Sequence, residues 1–323
     1  MVCERVKAGW LAVGAALATA AMPTGAAAQY AADWDRLAPS SHWNLDYAED
    51  SCALRRSFGE GDDRTFLELR QFEPEGALQV IVMTKGTQMR SADELLVASH
   101  VRSRIARPSV SFLPETEPAE WGQPLGIHSE EWGEGVLFTS LDLRNSEQRE
   151  LARAFLAEHG TGLVVSDEQR DVREAEIDGL AVENVYRRNF VLDTGAMQAP
   201  MSAMRQCMDE LIEHWGIDAE ANRHLTRRVQ PRDFQSWVTR VQQQYPTAME
   251  RQNEQAVVRV RLTVSPEGRA TDCAVQTDIS NPLFDEAACE VLLRHSRFDP
   301  ALDADGDPIA SYWVKTIVYR IGT

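Results

Sequence analysis

The chain has 323 residues, 50 acidic against 33 basic, for a formal net charge of −17 at pH 7. That charge, with no Lys/Arg run to offset it, argues against nucleic acid or an anionic membrane surface as a partner. A hydrophobic content of 43% is ordinary for a globular protein, and the length suits one large or two ordinary domains with real cores.

The first 28 residues read as an address and not as fold. Arg5 and Lys7 precede an apolar run from Ala8 to Met22, and Ala26-Ala27-Ala28 supplies small residues for cleavage before Gln29. This order is that of a secretory signal peptide. The run is shorter than the ~20 residues a spanning helix needs, and no later stretch comes close, so no stable membrane insertion is expected after cleavage. Cys3 lies ahead of the apolar core and is therefore no acylation site. Loss of Arg5, Lys7 and Glu4 leaves 31 basic and 49 acidic residues, a net −18.

Four cysteines survive cleavage: Cys52, Cys207, Cys273 and Cys289. An even count in an oxidising compartment reads as two disulfides, of three possible pairings, and no spacing makes a C-x-x-C redox or zinc motif.

Residues 30–216 are expected to form one mostly-β domain. Strand-like runs fall at Thr65–Phe72, Ala77–Thr84, Gly135–Leu143 and Asn184–Leu192. The Glu73-Pro74-Glu75-Gly76 turn suits a hairpin between the first two. Ser146 to His159 reads as a helix with Ser146 as N-cap, Leu151 and Phe155 on its inner face and Gly160 as its stop. A second helix runs from Pro200 to Trp215, ended by Gly216, with Met204, Cys207, Met208, Leu211 and Trp215 in one apolar stripe. Cys207 on that stripe is expected to face the core, from where it could reach Cys52 near the start of the domain.

Residues 217–233 lack apolar periodicity, contain Pro231 and are expected to be a linker. Phe234, Trp237, Val238, Val241 and Tyr245 then form an amphipathic stripe that stops at Pro246. Val258, Val260, Leu262 and Val264 alternate with polar residues as a half-buried strand, and Ser265-Pro266-Glu267-Gly268 turns the chain. Arg269 to Thr277 returns as a second strand. Asn281-Pro282 starts a helix along Leu283, Phe284, Ala287, Ala288, Val291 and Leu292. An irregular, turn-rich stretch from Phe298 to Pro308 leads into a last strand, Ser311 to Ile321. A bridge from Cys273 to Cys289 would tie the second strand to the helix. Such a closed loop stabilises by ~3 kcal/mol in the chain-entropy model.

This order resembles the C-terminal domain of TonB over about residues 234–321. The resemblance is carried by Tyr245-Pro246, the alternating strand, the Pro-Glu-Gly turn, Leu283…Asp285…Ala288, Arg297-Phe298-Asp299-Pro300-Ala301 and Asp305-Gly306-Asp307-Pro308. The fold class it implies is α+β, a mostly-β N-terminal domain followed by a small αββαβ domain at 234–323. It also implies a periplasmic protein of a Gram-negative cell envelope that binds and does not catalyse. Its partner would be a protein, an extended segment of an outer-membrane receptor added to a sheet edge. By analogy the last strand is the candidate edge, with Tyr312, Val314, Thr316 and Val318 as binding residues. TonB itself has a membrane helix and a long Pro-rich spacer where this chain has a signal peptide and a globular domain, which puts energy transduction in doubt. A purely structural or oligomerisation role is the alternative, since sheet edges also pair with themselves.

Other motifs carry less. Phe190-Val191-Leu192-Asp193-Thr194-Gly195-Ala196 resembles the active-site pattern of aspartic proteases, where two carboxylates share a proton. A hydrolase built on Asp193 would have to dimerise to supply the second carboxylate, and Pro200 opens a helix where those enzymes return into strands. Asp303, Asp305 and Asp307 around Gly306 do not fit a calcium loop and read as a turn. The histidines are dispersed, with no metal spacing; His128 lies in an acidic loop. Seven Trp residues remain in the mature chain, Trp34, Trp43, Trp121, Trp132, Trp215, Trp237 and Trp313, and core packing is the usual fate of Trp. No catalytic residue, cofactor or metal ligand is assigned.

Overall fold

A computed structural model of the chain describes residues 31–319 apart from 32, 75, 92–93, 95–106, 116–123, 160–165, 253, 255 and 277–280. The expected signal peptide, Gly160, His100 and Trp121 lie outside the described residues.

The N-terminal half is mostly β. Its strands are β1 (Asp35–Leu37), β2 (Asn44–Ala48), β3 (Ser51–Phe58), β4 (Thr65–Gln71), β5 (Leu78–Thr84), β6 (Ser109–Leu113), β7 (Leu125–Ser129) and β8 (Gly133–Leu141). Two helices follow, α1 (Ser146–His159) and α2 (Asp167–Glu176), then β9 (Gly179–Glu183), β10 (Phe190–Leu192) and α3 (Gln198–His214). A six-stranded antiparallel sheet runs β2-β3-β4-β5-β8-β7, and a four-stranded sheet runs β1-β10-β9-β6. Leu54, Leu67, Leu69 and Val80 from the first, Val110, Phe112, Leu180 and Phe190 from the second, and Met201, Met204 and Met208 of α3 share one core. Cys52 of β3 and Cys207 of α3 are bonded within it.

Three expectations for this half are corrected. The run Asn184–Leu192 is not one strand: it breaks after Glu183 and resumes at Phe190. Asn184 takes a left-handed φ of 56° and its N–H is held by the Asn189 side chain, which makes a turn. Tyr186 in that turn goes to the core and donates its hydroxyl to the Val82 carbonyl at 2.9 Å. The N-cap of α1 is Asn145 and not Ser146, because the Asn145 side chain accepts from the Gln148 N–H while Gln148 returns a bond to Asn145 N. Leu151 faces solvent, 59% exposed, instead of lining the inner face.

The stretch 217–233, expected as a linker, carries α4 (Ala219–Arg223) and β11 (Gln230–Arg232). Periodicity misses such short elements because they are held by side-chain caps and by pairing with distant strands. Asp218 caps α4 through Ala221 N, and β11 pairs with residues 297–299.

The C-terminal half continues with α5 (Phe234–Gln243), α6 (Thr247–Arg251), β12 (Ala256–Val264), β13 (Ala270–Val275), α7 (Pro282–His295), β14 (Arg297–Asp299), β15 (Ala301–Leu302), β16 (Pro308–Ile309) and β17 (Ser311–Tyr319). The stretch 298–308, expected to be irregular, is therefore partly paired: β14 with β11 and β15 with β16. Val258, Val260, Leu262 and Val264 of β12 are fully buried against Phe284, Ala288, Val291 and Leu292 of α7 and Trp237 and Val241 of α5. Cys273 of β13 and Cys289 of α7 are bonded, 16 residues apart. The chain turns before β13 at Gly268, whose φ is +75°; a Cβ there would stand 2.1 Å from the Phe298 carbonyl oxygen. Only glycine satisfies both demands.

Candidate docking edge

The C-terminal sheet has the order β13-β12-β17, so β12 is central and β17 has no strand beyond it among the described residues. In an antiparallel ladder, alternate residues turn their backbone groups toward or away from a given neighbour. The Arg259 carbonyl accepts from Gln276 N at 2.9 Å, on the β13 side of β12. Val258, Val260 and Leu262 therefore turn theirs toward β17, where they stand opposite Ile317, Lys315 and Trp313. It follows that Tyr312, Val314, Thr316 and Val318 turn their backbone groups to the outer edge. A second contact agrees: the Gln242 side chain on α5 donates to the Val318 carbonyl at 2.6 Å.

Side chains alternate with the same period, so β17 presents two faces. Trp313 and Tyr319 lie on the helix side, where an aromatic group holds the strand from beneath. Trp313 stacks against Trp237 at 5.4 Å, Phe298 at 5.6 Å and Phe234 at 6.0 Å. Tyr319 packs against Phe284 at 4.8 Å and Tyr245 at 5.6 Å, and burial pushes its hydroxyl well above the ordinary tyrosine range. Lys315, on the same side, extends over the Phe234 ring at 5.8 Å. The other face carries Tyr312, Val314, Thr316 and Val318, opposite Thr263, Arg261, Arg259 and Val257. Val257 and Val318 are exposed at one end of it. At the other end Tyr312 meets Trp215 at 5.9 Å, and Asn222 of α4 donates to the Ala310 carbonyl at 3.1 Å. The outer edge is thus bounded by α4 and Trp215 at the start of β17 and by Gln242 near its end, with Val314 and Thr316 between.

Two carboxylates of the N-terminal half approach the same sheet. Burial pushes Asp50 up from the usual carboxylate range, opposed by Arg261. Burial also pushes Glu73 up, with Arg259, Arg228 and Lys315 pulling the other way.

The remaining sequence candidates have other surroundings. Asp193 follows β10 and its Oδ1 accepts from Arg36 Nε at 2.5 Å, with Asp178 on the same guanidinium at 3.8 Å. The Asp193 carboxylate thus faces a permanent cation. Asp303 accepts from the backbone N–H groups of Asp305 and Asp307, which closes the acidic turn on itself. His128 lies 2.9 Å from Glu134, both exposed. Periodicity gave no hint of Gln242, because an exposed polar residue on a helix has no signature until the strand beside it is known.

Residues 241–321 match the family described as Gram-negative bacterial TonB protein C-terminal. The TonB-like segment begins inside α5 and takes in both half-buried strands, α7 and β17, roughly a quarter of the chain. The N-terminal region has no family match, and no curated protein matches the chain. A TonB-like domain is that of an envelope protein that works by contact with outer-membrane proteins and not by catalysis. Among the described residues no helix is long and apolar enough to cross a membrane.

Proposed function

We propose that the chain is a periplasmic, non-catalytic binding protein, exported through a cleaved signal peptide, whose TonB-like lobe docks an extended segment of an outer-membrane protein on β17. The observation that carries this reading is the direction of the backbone groups along β17. Tyr312, Val314, Thr316 and Val318 turn theirs outward, and an extended segment laid alongside would complete a four-stranded sheet through main-chain hydrogen bonds. The short open stretch at Val314 and Thr316 favours a brief segment, and Gln242 must release Val318 for a longer one. Separate hydrophobic cores over residues 52–211 and 229–319 support a domain at 30–216 and the TonB-like domain at 234–323, with the connecting segment 217–233 packing in part on the second through Val229 and β11.

The test uses the full chain as bait against detergent-solubilised outer membrane, beside the same bait carrying Val314→Pro. Proline removes an outward N–H and obstructs pairing at the edge. Capture of an outer-membrane receptor by wild type and its loss in the variant, with circular dichroism unchanged, is the expected result. Equal capture by both baits, or a concentration-dependent dimer that the substitution abolishes, would replace strand docking of a receptor with another mode of association.

A further inference from the structure

The two hydrophobic cores do not merge. Between them lies one small apolar group, Ile212, Ile217 and Ala219 with Trp215 and Tyr312. Most of the seam is polar. Gln276 at the end of β13 donates to the carbonyls of Asp50 at 3.1 Å and Phe72 at 3.0 Å, and the Arg259 guanidinium lies over the Phe72 ring at 4.2 Å. At its centre is Arg261 of β12, whose side chain is only 7% exposed. One side of its guanidinium meets Asp50 Oδ1 at 3.4 Å, and its planar group lies 4.2 Å from the centre of the Trp215 ring. Asp50 precedes Cys52 by two residues and Trp215 follows Cys207 by eight, so one disulfide holds the roots of both jaws.

We propose that Arg261 is a latch that holds the N-terminal lobe against the second face of the TonB-like sheet. Interfaces between lobes of one chain permit relative motion unless they are large and apolar; Gln276, Arg259 and Arg261 give this one a polar character, so its rigidity leans on such polar contacts. A buried guanidinium tolerates its site only with a carboxylate and an aromatic face in place, and loses heavily when a partner is removed. The latch is also incompletely satisfied. Arg261 Nε, Trp215 Nε1, Gln276 Oε1 and Asn222 Oδ1 are buried without a hydrogen-bond partner among the described residues, which lowers the cost of opening relative to a fully bonded network. Because Trp215 also packs on Tyr312, release of the latch uncovers the face beside β17 and frees Tyr312, near the start of that strand, from its wall.

The experiment is small-angle X-ray scattering of the full chain, with circular dichroism as a control for folding. Arg261→Glu sets a third carboxylate beside Asp50 and Asp272 and should shift the radius of gyration and maximum dimension upward while secondary structure is kept. Asp50→Arg should do the same. The charge swap, Asp50→Arg with Arg261→Glu, should return the profile toward wild type, which a generally damaged fold would not do. Profiles of both single variants that overlay wild type would overturn the latch. So would expansion that the swap leaves unreversed.

Discussion

The side-chain amide of Gln242 on α5 donates to the main-chain carbonyl of Val318 on β17 at 2.6 Å. This bond occupies an outward-facing group of the edge strand that a docking segment would use. A helix side chain thereby stands where the N–H of a further strand would be.

Gln242→Ala removes one partly exposed hydrogen bond and nothing from the core. Its effect on urea stability should stay within about 1 kcal/mol. If the proposed docking is right, the same variant should lengthen the accessible edge and bind a docking segment at least as well as wild type. A loss above ~2 kcal/mol would mean that the bond holds α5 in place, contrary to its role as an edge cover.

Cys273→Ala with Cys289→Ala should lower the stability of the TonB-like lobe by about 3 kcal/mol, from the loop that the bond closes. Thermal unfolding followed at Trp237 and Trp313 reports this lobe, since both residues belong to its aromatic group. An unchanged midpoint would show that packing of α7 on β12 carries the lobe alone.

Gly268→Ala meets two obstacles, the φ of +75° and the Phe298 carbonyl oxygen 2.1 Å from the new Cβ. The turn has to shift, and with it the Phe298 N–H that Gly268 O holds at 2.9 Å. A loss of at least ~2 kcal/mol is expected in chemical denaturation. A variant as stable as wild type would show that the turn relaxes freely.

Glu73 gives a pH dependence with a definite sign. Burial raises its native pKa above the unfolded value in spite of three nearby cations. A carboxyl raised in the native state binds its proton more readily when folded, so its contribution to stability rises as pH falls through the raised value. It levels off below the unfolded value of about 4.3. Glu73→Gln should remove that slope and be at least as stable as wild type at pH 7. Urea midpoints between pH 4 and pH 7 decide the matter; a steeper fall on acidification in wild type than in the variant would contradict it.

Much of the C-terminal half was legible in the residues themselves. Alternation from Val258 to Val264 marks a strand buried on one face, Asn281-Pro282 marks a helix start, and the order of these with the Pro-Glu-Gly turn brought the TonB resemblance with it. These signals are local: each depends on residues two to four positions apart. In the N-terminal half the same rules found Thr65–Gln71 and α3 but missed β6, β9 and α2, and ran a strand through the turn at Asn184. Strands as short as β1 and β10 exist by pairing with each other, and no local period marks them.

The charge, the cysteine count and the class of the last domain were determined by the sequence by itself, because they depend on composition and short-range pattern. Which strand lies at the edge, which of its backbone groups face outward, and that Gln242 reaches one of them were decided only in the tertiary structure. So was the meeting of Arg261 with Asp50 and Trp215, residues 211 and 46 positions away. The reason is physical: a hydrogen bond or ion pair between distant segments costs chain entropy that only the packed core repays, so no single segment carries its signal.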